Sequence, residues 1–131
     1  MARNSKGQYE ITDDKSIDGD MQDILNRYVS AFISQKDPSQ STLDTRKREV
    51  RYWLSFCETN NIEPLSADRK HIDAYIQNIR NEYADTTIQS YVASVRSFYS
   101  IAVNDQHYDL NIDTHPLRDG LSLRHEYKIS S

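Results

Sequence analysis

The sequence predicts an all-α fold, a bundle of four helices, and two observations lead to it. Glycine and proline each occur only three times in 131 residues, which leaves few of the turns that hairpins or alternating strands and helices require. Apolar residues recur at three- and four-residue steps in four successive stretches, the period of a helix with one buried face. Short connections between such stretches are typical of a helical bundle. A chain of this length is expected to form one folded domain.

The first helix is predicted at about residues 18–36, where Asp18 or Asp20 can cap its start and Pro38 ends it. Its expected inward residues are Met21, Ile24, Leu25, Tyr28, Phe32 and Ile33. Residues 1–17 are polar and lack a sustained period, so we interpret them as a flexible N-terminal segment.

The second and third helices are predicted from apolar stripes that follow turn or capping residues. Ser39, Ser41 or Thr42 leads into a helix of about 41–60, and Ser66 or Asp68 opens the third. The second has an inward stripe of Leu43, Val50, Trp53, Leu54 and Cys57, and the third one of Ile72, Tyr75, Ile76, Ile79 and Tyr83. Tyr52 is expected to be exposed.

The fourth helix is predicted from a capping box in which Thr86 and Gln89 satisfy each other's backbone donors. Its inward set is Ile88, Tyr91, Val92, Val95, Tyr99 and Ala102. Asn104 and Asp105 end it, and a loop runs on to Pro116.

Charge is unevenly distributed along the chain. The net charge is −4, which is unusual for a nucleic-acid binder, but residues 41–100 carry as many basic as acidic side chains. There, Arg46, Lys47, Arg48 and Arg51 form what we call the basic patch, opposed within it only by Glu49. Asp outnumbers Glu and Arg outnumbers Lys, a bias that suggests a halophile-like surface.

Several classes of site are not indicated. Cys57 is the only cysteine, so no disulfide forms within the chain, and we expect a buried thiol. The four histidines lack the spacing of metal ligands. No metal or other cofactor is therefore expected. The N-terminus lacks an apolar stretch for translocation or membrane insertion, so we expect a cytoplasmic protein without a membrane partner.

A series of short motifs then occurs in a recognisable order along the chain. It runs through Ser41-Thr42, Val50, Trp53-Leu54, Phe56-Cys57, Ile62, Pro64-Leu65-Ser66, Ile72, Tyr75-Ile76, Thr87-Ile88, Tyr91, Val95-Arg96, Phe98-Tyr99 and His115-Pro116-Leu117. This order resembles the core-binding, SAM-like domain of tyrosine recombinases and phage integrases, over about residues 18–120. Each motif is short, and the resemblance depends on their sequential coincidence.

The resemblance implies an orthogonal four-helix bundle that forms one jaw of a clamp around double-stranded DNA. It implies no catalytic residue in this chain, because the family's chemistry lies in a separate catalytic domain, expected after residue 131 of a longer parent chain. Residues 121–131 would be a tail toward that domain. Other recombinase protomers bound to DNA are further expected partners, and DNA recombination and integration the expected role.

DNA contacts are expected on the second and fourth helices. By resemblance the candidates are Thr42, Arg46, Lys47 and Arg51, with Thr87, Gln89, Ser90 and Arg96. The residues support the same face, since Lys47 and Arg51 share a helical stripe that Arg48 flanks. The fourth helix is expected to present Gln89, Ser90, Ser94, Arg96 and Ser97 on its polar side, where Gln and Arg can address base edges.

Two other interpretations remain open. The basic patch can be a solvated face that pairs with Asp44 and Glu49 on its own helix, in a helical protein-interaction module without direct DNA binding. His115-Pro116-Leu117-Arg118 matches the His-x-x-Arg pattern of the recombinase catalytic centre, and Tyr127 follows as if it were a nucleophile. We interpret this match as fortuitous, because strand transfer requires further donors on a substantial scaffold.

Overall fold

The computed structural model describes residues 17–117 of the chain. This part contains four α-helices and no strand. They are α1 (Gly19–Lys36), α2 (Gln40–Thr59), α3 (Arg69–Arg80) and α4 (Asp85–Asn104), with a 3-10 turn at Pro64–Ser66. The predicted all-α class is confirmed. The segments predicted at 1–17 and 121–131 lie outside the described residues, except for Ile17, which is buried in the core.

Side-chain caps begin the first two helices. Asp18 Oδ1 accepts the Met21 N–H at 2.9 Å, and Ser39 Oγ accepts the Thr42 N–H at 3.2 Å. Each cap satisfies a backbone donor that the first helical turn leaves without a partner. The backbone N–H of Asp18 also donates to Glu58 Oε2 at 3.1 Å, which ties the start of α1 to the end of α2.

The capping box predicted at Thr86 and Gln89 is wrong. Helix α4 begins earlier, after Ala84, which makes no side-chain cap, and Asp85 supplies a negative charge to its first turn. In the short connection from α3, Tyr83 packs on Tyr91 with ring centroids 5.3 Å apart. A capping box does open α3, where Asp68 accepts from the backbone while His71 Nδ1 accepts the Asp68 N–H at 3.1 Å.

Helix α4 is the central element, because α1, α2 and α3 all pack against it. A buried chain of hydrogen bonds crosses this core: Trp53 Nε1 donates to Tyr99 Oη at 3.1 Å, and Tyr99 Oη donates to the Pro64 carbonyl at 2.6 Å. Both aromatic side chains are buried, as predicted. The chain fixes α2, α4 and the 3-10 turn relative to one another.

Two further predictions about burial had different outcomes. Cys57 is buried, and burial raises the pKa of its thiol, so the thiolate is disfavoured. Ile33, predicted to face inward, is instead 46% exposed. At about 100° per residue, Ile33 lies about 180° round the helix from Ile24, so it faces away from the buried stripe.

The segment after α4 folds back over the bundle. The Asp105 carboxylate accepts backbone N–H groups of His107, Tyr108 and Leu110 at 3.0–3.1 Å, which shapes the turn. Arg27 Nη1 donates to the Asp109 carbonyl at 3.0 Å. Leu110 and Leu117 are then buried, so the core extends beyond the last helix.

Replacing each of the two candidate capping residues, Asp68 and Thr86, by alanine tests which of them begins a helix. We expect Asp68→Ala to lower the free energy of unfolding by about 1 kcal/mol, because α3 loses its N-cap. Thr86→Ala should change it by less than about 0.5 kcal/mol, since Thr86 lies inside α4. Urea unfolding of both variants checks this, and a larger loss in Thr86→Ala would restore the original capping box.

Candidate DNA-binding face

A buried carboxylate joins the two helices that carry the candidate DNA contacts. Glu49 of α2 is only 3% exposed where α2 packs on α4. Ser94 Oγ donates to Glu49 Oε1 at 2.7 Å, and Ser90 Oγ lies 2.9 Å from both carboxylate oxygens. A buried charge is costly unless hydrogen bonds or opposite charges match it. We call this arrangement, with Arg46 and Arg48, the Glu49 junction.

The two arginines of the junction are held differently. Arg46 Nη1 donates to Ser94 Oγ at 3.0 Å and lies 4.0 Å from Glu49 Oε1, with the side chain 26% exposed. Arg48 Nη2 lies 3.7 Å from Glu49 Oε2, and its side chain is 53% exposed. Arg46 therefore belongs to the helix contact, whereas Arg48 extends into solvent.

The rest of the basic patch lies along α2. Lys47 is exposed and Arg51 is half-buried. At the start of the helix, Thr42 is exposed, and its hydroxyl accepts from Ser39 Oγ at 3.0 Å. The first turn of α2 contains no acidic residue, so the positive end of the helix dipole is not neutralised there.

Contrary to the sequence-based prediction, the candidate DNA contacts on α4 are not all exposed. Gln89 is exposed, while Thr87, Ser90 and Arg96 are half-buried. Two serines predicted on the polar side are used within the fold: Ser94 is completely buried at the Glu49 junction, and Ser97 Oγ lies 2.8 Å from Tyr28 Oη. Serine is small enough to sit between packed helices, and its hydroxyl is satisfied there.

The structure thus brings Arg46, Arg48 and Ser90 together around one carboxylate. Sequence reasoning treated Glu49 only as a surface partner of the basic patch and missed its burial. A signal was available, because Arg46, Val50 and Trp53 share one helical stripe and Glu49 lies at its margin. Periodicity alone does not say that an acidic residue at such a margin will find two serines on a facing helix.

Comparison with known proteins places this architecture. The family model for the phage integrase N-terminal SAM-like domain matches residues 25–106. The chain belongs to this family. The match covers all of α2, α3 and α4 and most of α1, and with the four helices it confirms the predicted SAM-like fold class. It concerns an N-terminal domain of integrases, in agreement with the resemblance carried by the sequence motifs.

Two curated relatives are tyrosine recombinases called XerD. The protein from Listeria innocua serovar 6a is 25% identical over 88 residues, and that from Listeria monocytogenes serotype 4b is 24% identical over 88 residues. Each alignment covers 65% of this chain and 30% of the relative. The chain therefore matches about a third of the length of these relatives. No solved structure gives a significant match.

Within this SAM-like domain, aromatic side chains line a groove of about 370 Å³ between α2 and α3. Tyr52, Phe56, Tyr75 and Tyr83 lie along it, and Glu82 is the charged residue in its lining. The Tyr75 hydroxyl is buried and has no hydrogen-bond partner. Burial, followed by the nearby Tyr91, raises the pKa of Tyr75 well above its usual value.

His115, the first residue of the His-x-x-Arg match, has a structural role. Its Nδ1 accepts the Leu117 N–H at 2.9 Å, so Nε2 carries the proton and donates to Ser100 Oγ at 3.2 Å. The Nδ1 bond shapes the loop itself, and the Nε2 bond joins the loop to α4. Arg118 and Tyr127 lie outside the described residues.

Among residues 17–117, no group of three or more His, Cys, Asp or Glu side chains is arranged to hold a metal ion. The helices of that same region are all too short or too polar to cross a membrane.

The lowered pKa of His115 predicts that the stability of the fold depends on pH. Burial lowers the pKa of His115 below its usual 6.5. The unfolded chain therefore takes up the proton first, and the His115 contribution is complete above about pH 6.5 and lost as pH falls toward the folded-state pKa. We expect the free energy of unfolding to fall less between about pH 7 and 5 in His115→Gln than in the unsubstituted chain. Equal slopes in chemical unfolding would contradict this.

The unsatisfied Tyr75 hydroxyl predicts a stabilising substitution. Tyr75→Phe removes a buried polar group without a partner and keeps the ring contacts with Trp53 and Phe56. We expect the free energy of unfolding to rise by about 1 kcal/mol. Tyr28→Phe is the matched control, because it deletes a hydroxyl that is hydrogen-bonded to Ser97 and should lower stability by a similar amount. A loss of stability in Tyr75→Phe would contradict the assignment.

Proposed function

We propose that this domain binds double-stranded DNA through the basic patch of α2 and the exposed polar residues at the start of α4. The observation that carries the proposal is the placement of Lys47, Arg48 and Arg51 on accessible parts of one helix, joined to α4 by the Glu49 junction. Membership of the phage-integrase N-terminal family supports it. The domain would serve as one jaw of a clamp.

The expected contacts are mainly with phosphates. Lys47, Arg48 and Arg51 supply cations, and the Thr42 hydroxyl near the start of α2 adds a polar contact beside the positive end of the helix dipole. Two to four such contacts give weak, salt-dependent binding with little sequence preference. Gln89 is the exposed residue of α4 best suited to base edges in a major groove, and Thr87, Ser90 and Arg96 complete the candidate set there.

In the parent protein the domain would position DNA for another part of the chain. We infer a longer tyrosine recombinase whose separate catalytic domain closes on the opposite side of the duplex and carries out strand exchange. The relatives named as tyrosine recombinases support this inference, and the chain matches 30% of their length. Other protomers on paired sites would be further partners, and we propose a cytoplasmic location.

A salt titration against a labelled generic duplex tests DNA binding. The double variant Lys47→Ala, Arg51→Ala removes two proposed phosphate contacts, so the slope of log K against log salt should become less steep by nearly 2 units, about 0.9 for each contact. The matched control is Lys36→Ala, Lys70→Ala, which removes the same charge from the exposed ends of α1 and α3. Fluorescence anisotropy below about 0.1 M salt keeps weak binding measurable.

The two double variants separate local from general charge effects. Loss of slope in the α2 variant alone supports the proposed face. Equal losses in both would indicate diffuse attraction, and the assignment of residues would then be wrong. No binding by the unsubstituted chain at low salt, with its helical circular dichroism intact, would refute the proposed function.

The groove between α2 and α3 favours a second candidate, a protein-interaction module without direct DNA binding. The half-buried aromatic side chains of Tyr52, Phe56 and Tyr83 line it. Aromatic residues with a polar handle are typical of protein interfaces. Amide chemical shifts on adding duplex decide between the candidates: changes on the polar face of α2 and α4 support DNA binding, and a spectrum unchanged at low salt supports the module.

A further inference from the structure

We propose that Glu49 is a positioning residue that divides the basic patch into two parts. It fixes Arg46 within the contact between α2 and α4. It holds Arg48 only loosely, so a DNA phosphate can replace Glu49 as the partner of the Arg48 guanidinium. This inference rests on the proposed DNA binding and deepens it, because it states which cations the DNA meets.

Arg46 is committed to the fold by its contacts. Its Nη1 lies 3.0 Å from Ser94 Oγ, and Ser94 is completely buried and donates in turn to Glu49 Oε1 at 2.7 Å. Turning Arg46 toward a phosphate would remove the hydrogen bond that the buried Ser94 hydroxyl accepts, and with it the cation that lies 4.0 Å from Glu49 Oε1. The loss of a hydrogen bond from a buried hydroxyl that is itself bonded to a buried charge is unfavourable.

Arg48 is in the opposite situation. Its Nη2 lies 3.7 Å from Glu49 Oε2, which is too long for a hydrogen bond. More than half of its side chain is exposed. If Arg48 moves away, Glu49 keeps the hydroxyls of Ser90 and Ser94 and the charge of Arg46. A phosphate can therefore replace Glu49 as the partner of Arg48 without leaving a buried group unsatisfied.

Two consequences follow for binding. The phosphate-contacting cations of α2 are Lys47, Arg48 and Arg51, and Arg46 acts indirectly by fixing the angle at which α2 meets α4. Glu49 also competes with DNA for Arg48, so the carboxylate lowers the affinity for duplex while it orders the face that binds it.

The arginines are compared first, as Arg46→Met and Arg48→Met in the 131-residue chain. Arg48→Met should make the salt slope less steep by about 0.9 and leave the melting temperature unchanged. Arg46→Met should lower the melting temperature by about 5 °C or more and leave the salt slope unchanged when binding is measured well below that temperature. A merely structural role for both residues would move neither slope.

Glu49→Gln then isolates the competition. Glutamine keeps the size of the side chain and can still accept from Ser90 and Ser94, but it no longer attracts Arg48. We expect duplex affinity to rise about two- to five-fold above that of Asp44→Asn, the control that removes one exposed carboxylate from the same helix. The excess should disappear when Arg48→Met is combined with Glu49→Gln.

The outcomes separate this inference from the proposed function. If unsubstituted protein binds with a salt-dependent slope but Arg46→Met and Arg48→Met reduce it equally, the division of the patch is wrong and DNA binding stands. An affinity in Glu49→Gln no higher than in Asp44→Asn, with the fold intact, overturns the competition. Absence of salt-dependent binding in the unsubstituted chain removes the proposed function and this inference together.

Discussion

The carboxylate of Glu49 is buried where α2 packs on α4, and the rest of the candidate face depends on how that charge is satisfied. Two serine hydroxyls of α4 donate to it, and Arg46 reaches the same site through Ser94. These bonds require α2 and α4 to meet in one register, since a shift of either helix would leave a buried charge without partners. The orientation of the basic patch is set by this requirement.

The junction also explains how an acidic chain can present a basic face. The net charge of −4 describes the whole sequence, whereas a phosphate would meet the few side chains within about one Debye length, roughly 8–10 Å at physiological salt. The Glu49 carboxylate within the patch is buried, and hydrogen bonds from Ser90 and Ser94 stabilise its charge inside the protein. The exposed ends of Lys47 and Arg48 remain outside, so local charge and total charge differ in sign.

Helix α4 supports this arrangement from beneath. It contacts each of the other three helices. Its polar side chains also make hydrogen bonds to other segments, namely Ser97 with Tyr28, Tyr99 with Trp53 and Pro64, and Ser100 with His115. These directional bonds, from about one turn of α4, fix its position more narrowly than apolar packing alone would. The basic patch therefore rests on a rigid support, which favours positioning over adaptation.

Apolar period and helix-ending residues act locally, so they predict the all-α class, the bounds of α1, α2 and α4 to within about two residues, most of the core and the family resemblance. The end of α3 is the exception, because the apolar stripe predicts Tyr83 on that helix and the structure ends it at Arg80. The sequence also located the basic patch. Tertiary structure decided what each polar residue does: that Glu49 and Ser94 are buried, that Arg46 differs from Arg48, that Asp68 rather than Thr86 forms a capping box, and that Ile33 faces solvent. The physical reason is that a polar side chain at the margin of a helical stripe has no intrinsic preference for burial. Its role is set by the partner that a distant segment brings to it.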